Sequence, residues 1–115
     1  MDDIILVTQP LSRMRLQEIA AGGFGDMVKA VVDIEKELLA LGGELHADGE
    51  AFLLAQGSVQ RNLWGINLYP DMEMPEMLEF DSMINIRPSQ NNRSRSVEDP
   101  AVQKRIETIV RKFIP

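Results

Sequence analysis

Asp26-Met-Val-Lys-Ala-Val-Val-Asp-Ile-Glu-Lys-Glu-Leu-Leu-Ala-Leu-Gly-Gly43 is the stretch on which the fold turns. At the helical period, Met27, Val31, Ile34, Leu38 and Leu41 fall on one stripe, with Asp26 and Gly42 where caps would stand. As strands, the β-branched Val28, Val31, Val32 and Ile34 suit a pleated surface. The charged tetrad Asp33-Ile-Glu-Lys36 would then begin the turn of a hairpin that returns through Leu38-Leu-Ala-Leu41. The two readings use the same apolar residues, so the spacing leaves both a helix and a hairpin open over residues 26–43.

The segments on either side are easier to assign. Ile4 to Thr8 is a β-branched-rich run stopped by Pro10, which predicts a short strand. Ser12 suits a helix N-cap, with Leu11 and Leu16 as a hydrophobic staple and Gly22-Gly23 as the stop. Asp48 to Gln56 predicts a short helix closed by Gly57, and Leu63 to Tyr69 a strand stopped by Pro70, with Trp64, Ile66 and Leu68 on its core face. Residues 71–76 form a methionine-containing loop, in which Met72 and Met74, with Met77 beyond, offer an adaptable contact surface. Glu79 to Arg87 alternates Phe80, Ile84 and Ile86 against Asp81, Asn85 and Arg87, the pattern of a strand with one polar face. Asp99 as N-cap and Pro100 at the first helical position then open a helix with a stripe of Val102, Ile106, Ile109, Val110 and Phe113.

The bulk numbers fit one domain spanning 1–115. A chain of 115 residues, 44% hydrophobic and 26% charged, is long enough to bury roughly two-thirds of its surface without a metal or disulfide. Eighteen acidic against twelve basic residues give a formal charge of -6, which argues against nucleic acid and anionic membranes as partners. The absence of cysteine removes disulfides, thiolate metal sites and thiol catalysis, and suits a reducing compartment. The acidic lead before Ile4 and the apolar run of only four residues are unlike a signal peptide, so the expected location is cytoplasmic.

Three blocks carry a resemblance. Gly43-Glu-Leu-His-Ala-Asp48, the strand Leu63-Trp-Gly-Ile-Asn-Leu-Tyr69, and Phe80-Asp-Ser-Met-Ile-Asn-Ile-Arg-Pro88 followed by Asn92-Arg-Ser together resemble a small prokaryotic family of uncharacterised proteins, a domain of unknown function. The resemblance covers nearly the whole chain. It implies a compact α+β domain and favours the hairpin over residues 26–43, and it supplies no catalytic residue.

The fold expected is therefore α+β: a single domain with a mainly antiparallel sheet of four or five strands and two or three helices packed on one face. The other sheet face would be polar, a solvated surface or a concave ligand site. Beside it, Arg87, Arg93 and Arg95 mark a donor-rich loop in an otherwise acidic protein. Guanidinium forks suit phosphate or carboxylate, which points to an anionic small molecule or nucleotide held by these arginines with Asp81, Asn85 and Asn67. An arginine network pinning the loop to Asp81, Glu79 or Glu98 is the structural reading of the same residues.

The alternation Glu44-x-His46-x-Asp48-x-Glu50 is the nearest approach to a metal signal. With one histidine in the chain, such a site would be oxygen-rich and suit magnesium or manganese. The structural reading has Asp48 as a helix cap, Glu50 favouring the helix N-terminus, and His46 bonded locally or facing solvent. No cofactor is otherwise implied, and no catalytic residue is marked: neither Gly-x-Ser-x-Gly nor a phosphate-binding Gly-x-x-x-x-Gly-Lys-Ser/Thr is present. An interaction protein, acting as a homodimer or a partner-binding module without small ligand, is the alternative from another class. An RNA-acting protein is a third reading, opposed by the net charge.

Overall fold

The computed structural model describes residues 3–115; Met1 and Asp2 of the lead lie outside it. Residues 26–43 form the hairpin. β2 (Val28–Asp33) and β3 (Leu38–Leu41) pair antiparallel, with Ala30 opposite Leu41 and Asp33 opposite Leu38. Asp33 makes the turn: its Oδ1 accepts the backbone N–H groups of Glu35 and Lys36, both at 2.9 Å, while Oδ2 accepts the Ser58 hydroxyl at 2.6 Å. A carboxylate bonding forward to its own backbone is a turn device, which a helix interior would have wasted.

β1 (Ile5–Val7) lies on the outer edge of β3, and β4 (Leu63–Leu68) pairs along the whole of β2, with Val31 opposite Gly65. β5 (Leu78–Glu79) closes the order β1-β3-β2-β4-β5, antiparallel throughout. The Cα radius of gyration, 12.8 Å, matches the roughly 13 Å of one compact domain this long.

Three helices cover the sheet. α1 (Arg13–Ala21) starts where Ser12 accepts the Arg15 N–H, and α3 (Pro100–Phe113) where Asp99 accepts that of Ala101. Both pack on the face carrying Val28, Ala30, Val32, Leu39, Leu41, Trp64, Ile66 and Leu68. α3 buries Ile106, Ile109, Val110 and Phe113, the stripe its sequence spells, each worth about 1.5–3 kcal/mol of apolar burial.

α2 (His46–Ala55) packs elsewhere. Its Leu53 joins Val31, Ala40 and Leu63 on the opposite face, so two helices share one side and the third covers part of the side expected to be polar. α2 also begins two residues early: Asp48 is its third residue rather than its cap, and its Oδ2 accepts the Leu45 N–H at 3.1 Å. No helix among the described residues is long and apolar enough to cross a membrane.

The predicted strand from Glu79 to Arg87 is the main correction. Only Glu79 belongs to β5. Ser82 then accepts the Ile84 N–H, a 3-10 turn runs over Met83–Asn85, and another follows at Pro88–Gln90. A serine that bonds two residues ahead bends the chain, and the alternation of apolar residues continued through the bend. The methionine surface is corrected as well: Met77 is fully buried and Met74 packs against the same core, leaving Met72 exposed.

Candidate functional site

The arginine-bearing loop is tied down by its own groups. Asn85, fully buried, lies beside the outer edge of β4 and takes the place of a neighbouring strand. Its Oδ1 accepts the Gly65 N–H at 2.8 Å, and its Nδ2 donates to the Gly65 carbonyl at 2.9 Å and the Arg95 carbonyl at 3.0 Å. Only glycine fits beneath this loop at position 65, because a Cβ there would stand 2.5 Å from the Ser82 side chain. Asn92, also buried, donates to the carbonyls of Asn85, Ser94 and Ser96 and accepts the Glu98 N–H. Asn85 thus satisfies an edge of β4 that no further strand covers, and Asn92 satisfies backbone of the loop itself.

The guanidinium groups are mostly engaged too. Arg87 stacks 4.2 Å from the Trp64 ring and donates to the carbonyls of Gln60 and Leu63 and to the Gln90 side chain. Burial pushes its pKa down, and the nearby Glu50 carboxylate opposes that shift. Arg95 Nε pairs with Asp81 Oδ1 at 2.7 Å. Arg93 has no side-chain partner among the described residues, but its backbone N–H and that of Ser94 converge on Glu98 Oε2 at 3.0 and 2.9 Å. That is where an anion would sit, and a carboxylate of the chain itself is in place; its bonds to Ser94 and Arg93 hold the Glu98 carboxyl below its usual range.

Of the six residues expected to gather round an anion, Asn85 is therefore separated as a buried strap, and Arg95 with Asp81 forms a pair. Asn67 lies on β4, where its Nδ2 donates to Glu79 Oε1 at 2.8 Å; the Tyr69 hydroxyl shares that carboxylate oxygen at 2.9 Å. Burial first, then the bond to Glu79, raises the tyrosine pKa.

The four residues of the metal alternation are not brought together. No group of three or more His, Asp or Glu side chains able to hold a metal ion occurs among the described residues. His46 opens α2 and is 8% exposed, with Nε2 2.8 Å from the Ile66 carbonyl, which makes Nε2 the protonated nitrogen of the neutral ring. Burial is the main force lowering its pKa, and the Lys29 ammonium adds to it; the Ile66 carbonyl, the Asn67 amide and Asp81 pull the other way. Asp48 is occupied by the Leu45 N–H, Glu50 has a buried Oε2 without a partner, and Glu44 stands apart on the rim of a cleft.

That cleft, of about 620 Å³, lies between the end of α1, the Gly22-Gly23-Phe24 loop and the Gly42-Gly43-Glu44-Leu45 corner before α2. Ile5, Ile19, Met27 and Val28 give it apolar walls. Phe24 and Leu45 at its mouth are 49% and 59% exposed. The corner needs its glycine: Gly42 has φ +105°, and a Cβ there would stand 2.7 Å from the Asp3 carbonyl oxygen. Among the charged residues lining the cleft, Arg15 and Glu18 pair with each other at 3.3 Å. Lys29 has its Nζ 5.2 Å from the centre of the Phe24 ring. A volume of this size, apolar with a few polar groups, falls within the range of about 300–1,000 Å³ seen for small-molecule sites.

The cleft was not legible as a site in the sequence, where Gly22-Gly23 read as a helix end and Gly42 as a cap only if residues 26–43 were helical. A signal was nevertheless present in two glycine pairs and a phenylalanine flanking the β2–β3 hairpin.

The family described as Protein of unknown function (DUF5674) matches residues 5–113. No curated protein and no solved structure matches the chain.

Proposed function

The chain belongs to the DUF5674 family of proteins of unknown function, and on that premise we propose that it is a small cytoplasmic protein that binds a small molecule in the glycine-framed cleft. One contrast carries this reading. Lys29, Asp3 and Glu44 around the cleft have no ion-pair partner among the described residues, while the arginine loop bonds to itself. A ligand that entered the loop would have to displace Glu98 or Asp81. One that enters the cleft displaces water from apolar walls, which is favourable at about 25 cal/mol per Å².

The test is a thermal-shift screen with amino acids, nucleotides, sugar phosphates and small carboxylates, run on the native chain and two double variants. Phe24→Ala/Leu45→Ala trims exposed side chains at the mouth and leaves the core untouched. Arg93→Ala/Arg95→Ala disarms the loop. A ligand at about 100 times its Kd stabilises by roughly 2.7 kcal/mol, a shift of several degrees in a domain of this size. The expected outcome is a shift lost in the first variant and kept in the second. The reverse pattern would return the site to the arginines.

An interaction module is the second reading, favoured by the same exposed Phe24 and Leu45, which a second copy or a partner would cover. Sedimentation of the native chain at high concentration separates the two: a dimer abolished by Phe24→Ala/Leu45→Ala supports the interface.

A further inference from the structure

The charges round the cleft specify more than its volume does. Lys29 stands on β2 with its ammonium over the Phe24 ring, and no carboxylate among the described residues lies within ion-pairing distance of it. Asp3 and Glu44 line the same cleft, and neither has a cationic partner among the described residues. Opposite charges that share an apolar cleft yet do not pair with each other leave both signs open to a ligand. A purely anionic ligand would be opposed by the two carboxylates, and a purely cationic one by Lys29. Resting on the cleft as the binding site, we infer that its ligand class is a small zwitterion with an apolar body, such as an apolar amino acid. The ligand carboxylate goes to Lys29, its ammonium to Glu44 and Asp3, and its side chain against Phe24, Ile19 and Leu45.

This placement follows from the chemistry of the walls. A desolvated ammonium bonds a carboxylate by charge-assisted hydrogen bonds, roughly twice as strong as neutral ones. The phenyl ring under Lys29 holds the ammonium by a cation–π contact without neutralising it.

The experiment is an amide-resolved NMR titration of the full chain with four probes: phenylalanine, its N-acetyl form, its carboxamide, and the doubly blocked N-acetyl carboxamide. Phenylalanine is expected to shift the amides of Gly22, Phe24, Gly43 and Leu45, and each single block to weaken binding about tenfold or more. In Lys29→Gln the acid and the carboxamide should bind alike. In Glu44→Gln the penalty for N-acetylation should shrink. Binding of the doubly blocked probe at the same amides with the affinity of phenylalanine would overturn the zwitterion while leaving the cleft in place, and so would sensitivity to only one of the two blocks. If none of the four probes shifts those amides, the zwitterion is overturned; if the ligand screen also leaves them unmoved, the cleft itself falls.

Discussion

The loop from Ser82 to Glu98 and the cleft beside α1 are opposites in how they treat polarity. The loop is dense with donors and carboxamides, and nearly all of them are spent within the chain: Asn85 on Gly65 of β4, Asn92 on three carbonyls of the loop, Glu98 on two of its N–H groups. The cleft has few charges, and three of them have no ion-pair partner among the described residues. A polar residue in sequence advertises a bonding capacity but not whether the capacity is spent. Irregular backbone spends it first, because a buried N–H or C=O left without a partner costs about 1–3 kcal/mol.

The comparison breaks hardest at Asn85. Asn85→Ala removes partners from the Gly65 N–H, the Gly65 carbonyl and the Arg95 carbonyl at a fully buried position. A loss on the order of 3 kcal/mol is expected in urea unfolding. A loss under about 1 kcal/mol would mean that the loop does not depend on its strap and is free to serve a ligand.

A smaller effect is expected from pH through His46, which sits between the two regions at the start of α2. Burial lowers its pKa in the folded chain below the ordinary 6.5, so the unfolded chain binds more protons. Its contribution to stability is therefore intact above pH 6.5 and is lost as pH falls through the folded pKa. The groups facing it divide between Lys29, which disfavours the proton, and the Ile66 carbonyl, Asn67 and Asp81, which favour it. The midpoint of urea unfolding should fall between pH 7 and pH 5 in the native chain, and the fall should be reduced in His46→Gln. Equal slopes in the two proteins would show that His46 is not the group responsible.

The smallest effect belongs to Arg93. With no side-chain partner among the described residues, Arg93→Ala should alter stability by less than about 0.5 kcal/mol. Arg87→Ala, which loses a stack on Trp64 and three acceptors, should cost clearly more in the same unfolding assay. If the two variants match, the loop arginines are equivalent and the division between spent and unspent groups is wrong.

Much of the fold was written locally. Ser12 and Asp99 cap the helices they were expected to cap, the stripe on α3 is the buried one, and Trp64 shares a core face with Ile66 and Leu68. The strand read from Glu79 to Arg87 failed because alternation measures where apolar residues fall and not how the backbone between them runs. Ser82 bends the chain, and the carboxamide of Asn85 supplies the sheet edge that a strand would have supplied.

By itself, then, the sequence determined the α+β class, the caps that start α1 and α3, and the core stripe of α3, since caps and periodicity act within a few residues of chain. Only the tertiary structure decided that α2 crosses to the second sheet face, that the arginine loop is closed on its own carboxylates, and that two glycine pairs frame a cleft with unpaired charges. Those outcomes depend on which groups meet across the fold. Whether a hydrogen bond or a charge is already satisfied is a property of the meeting, which the order of residues alone does not record.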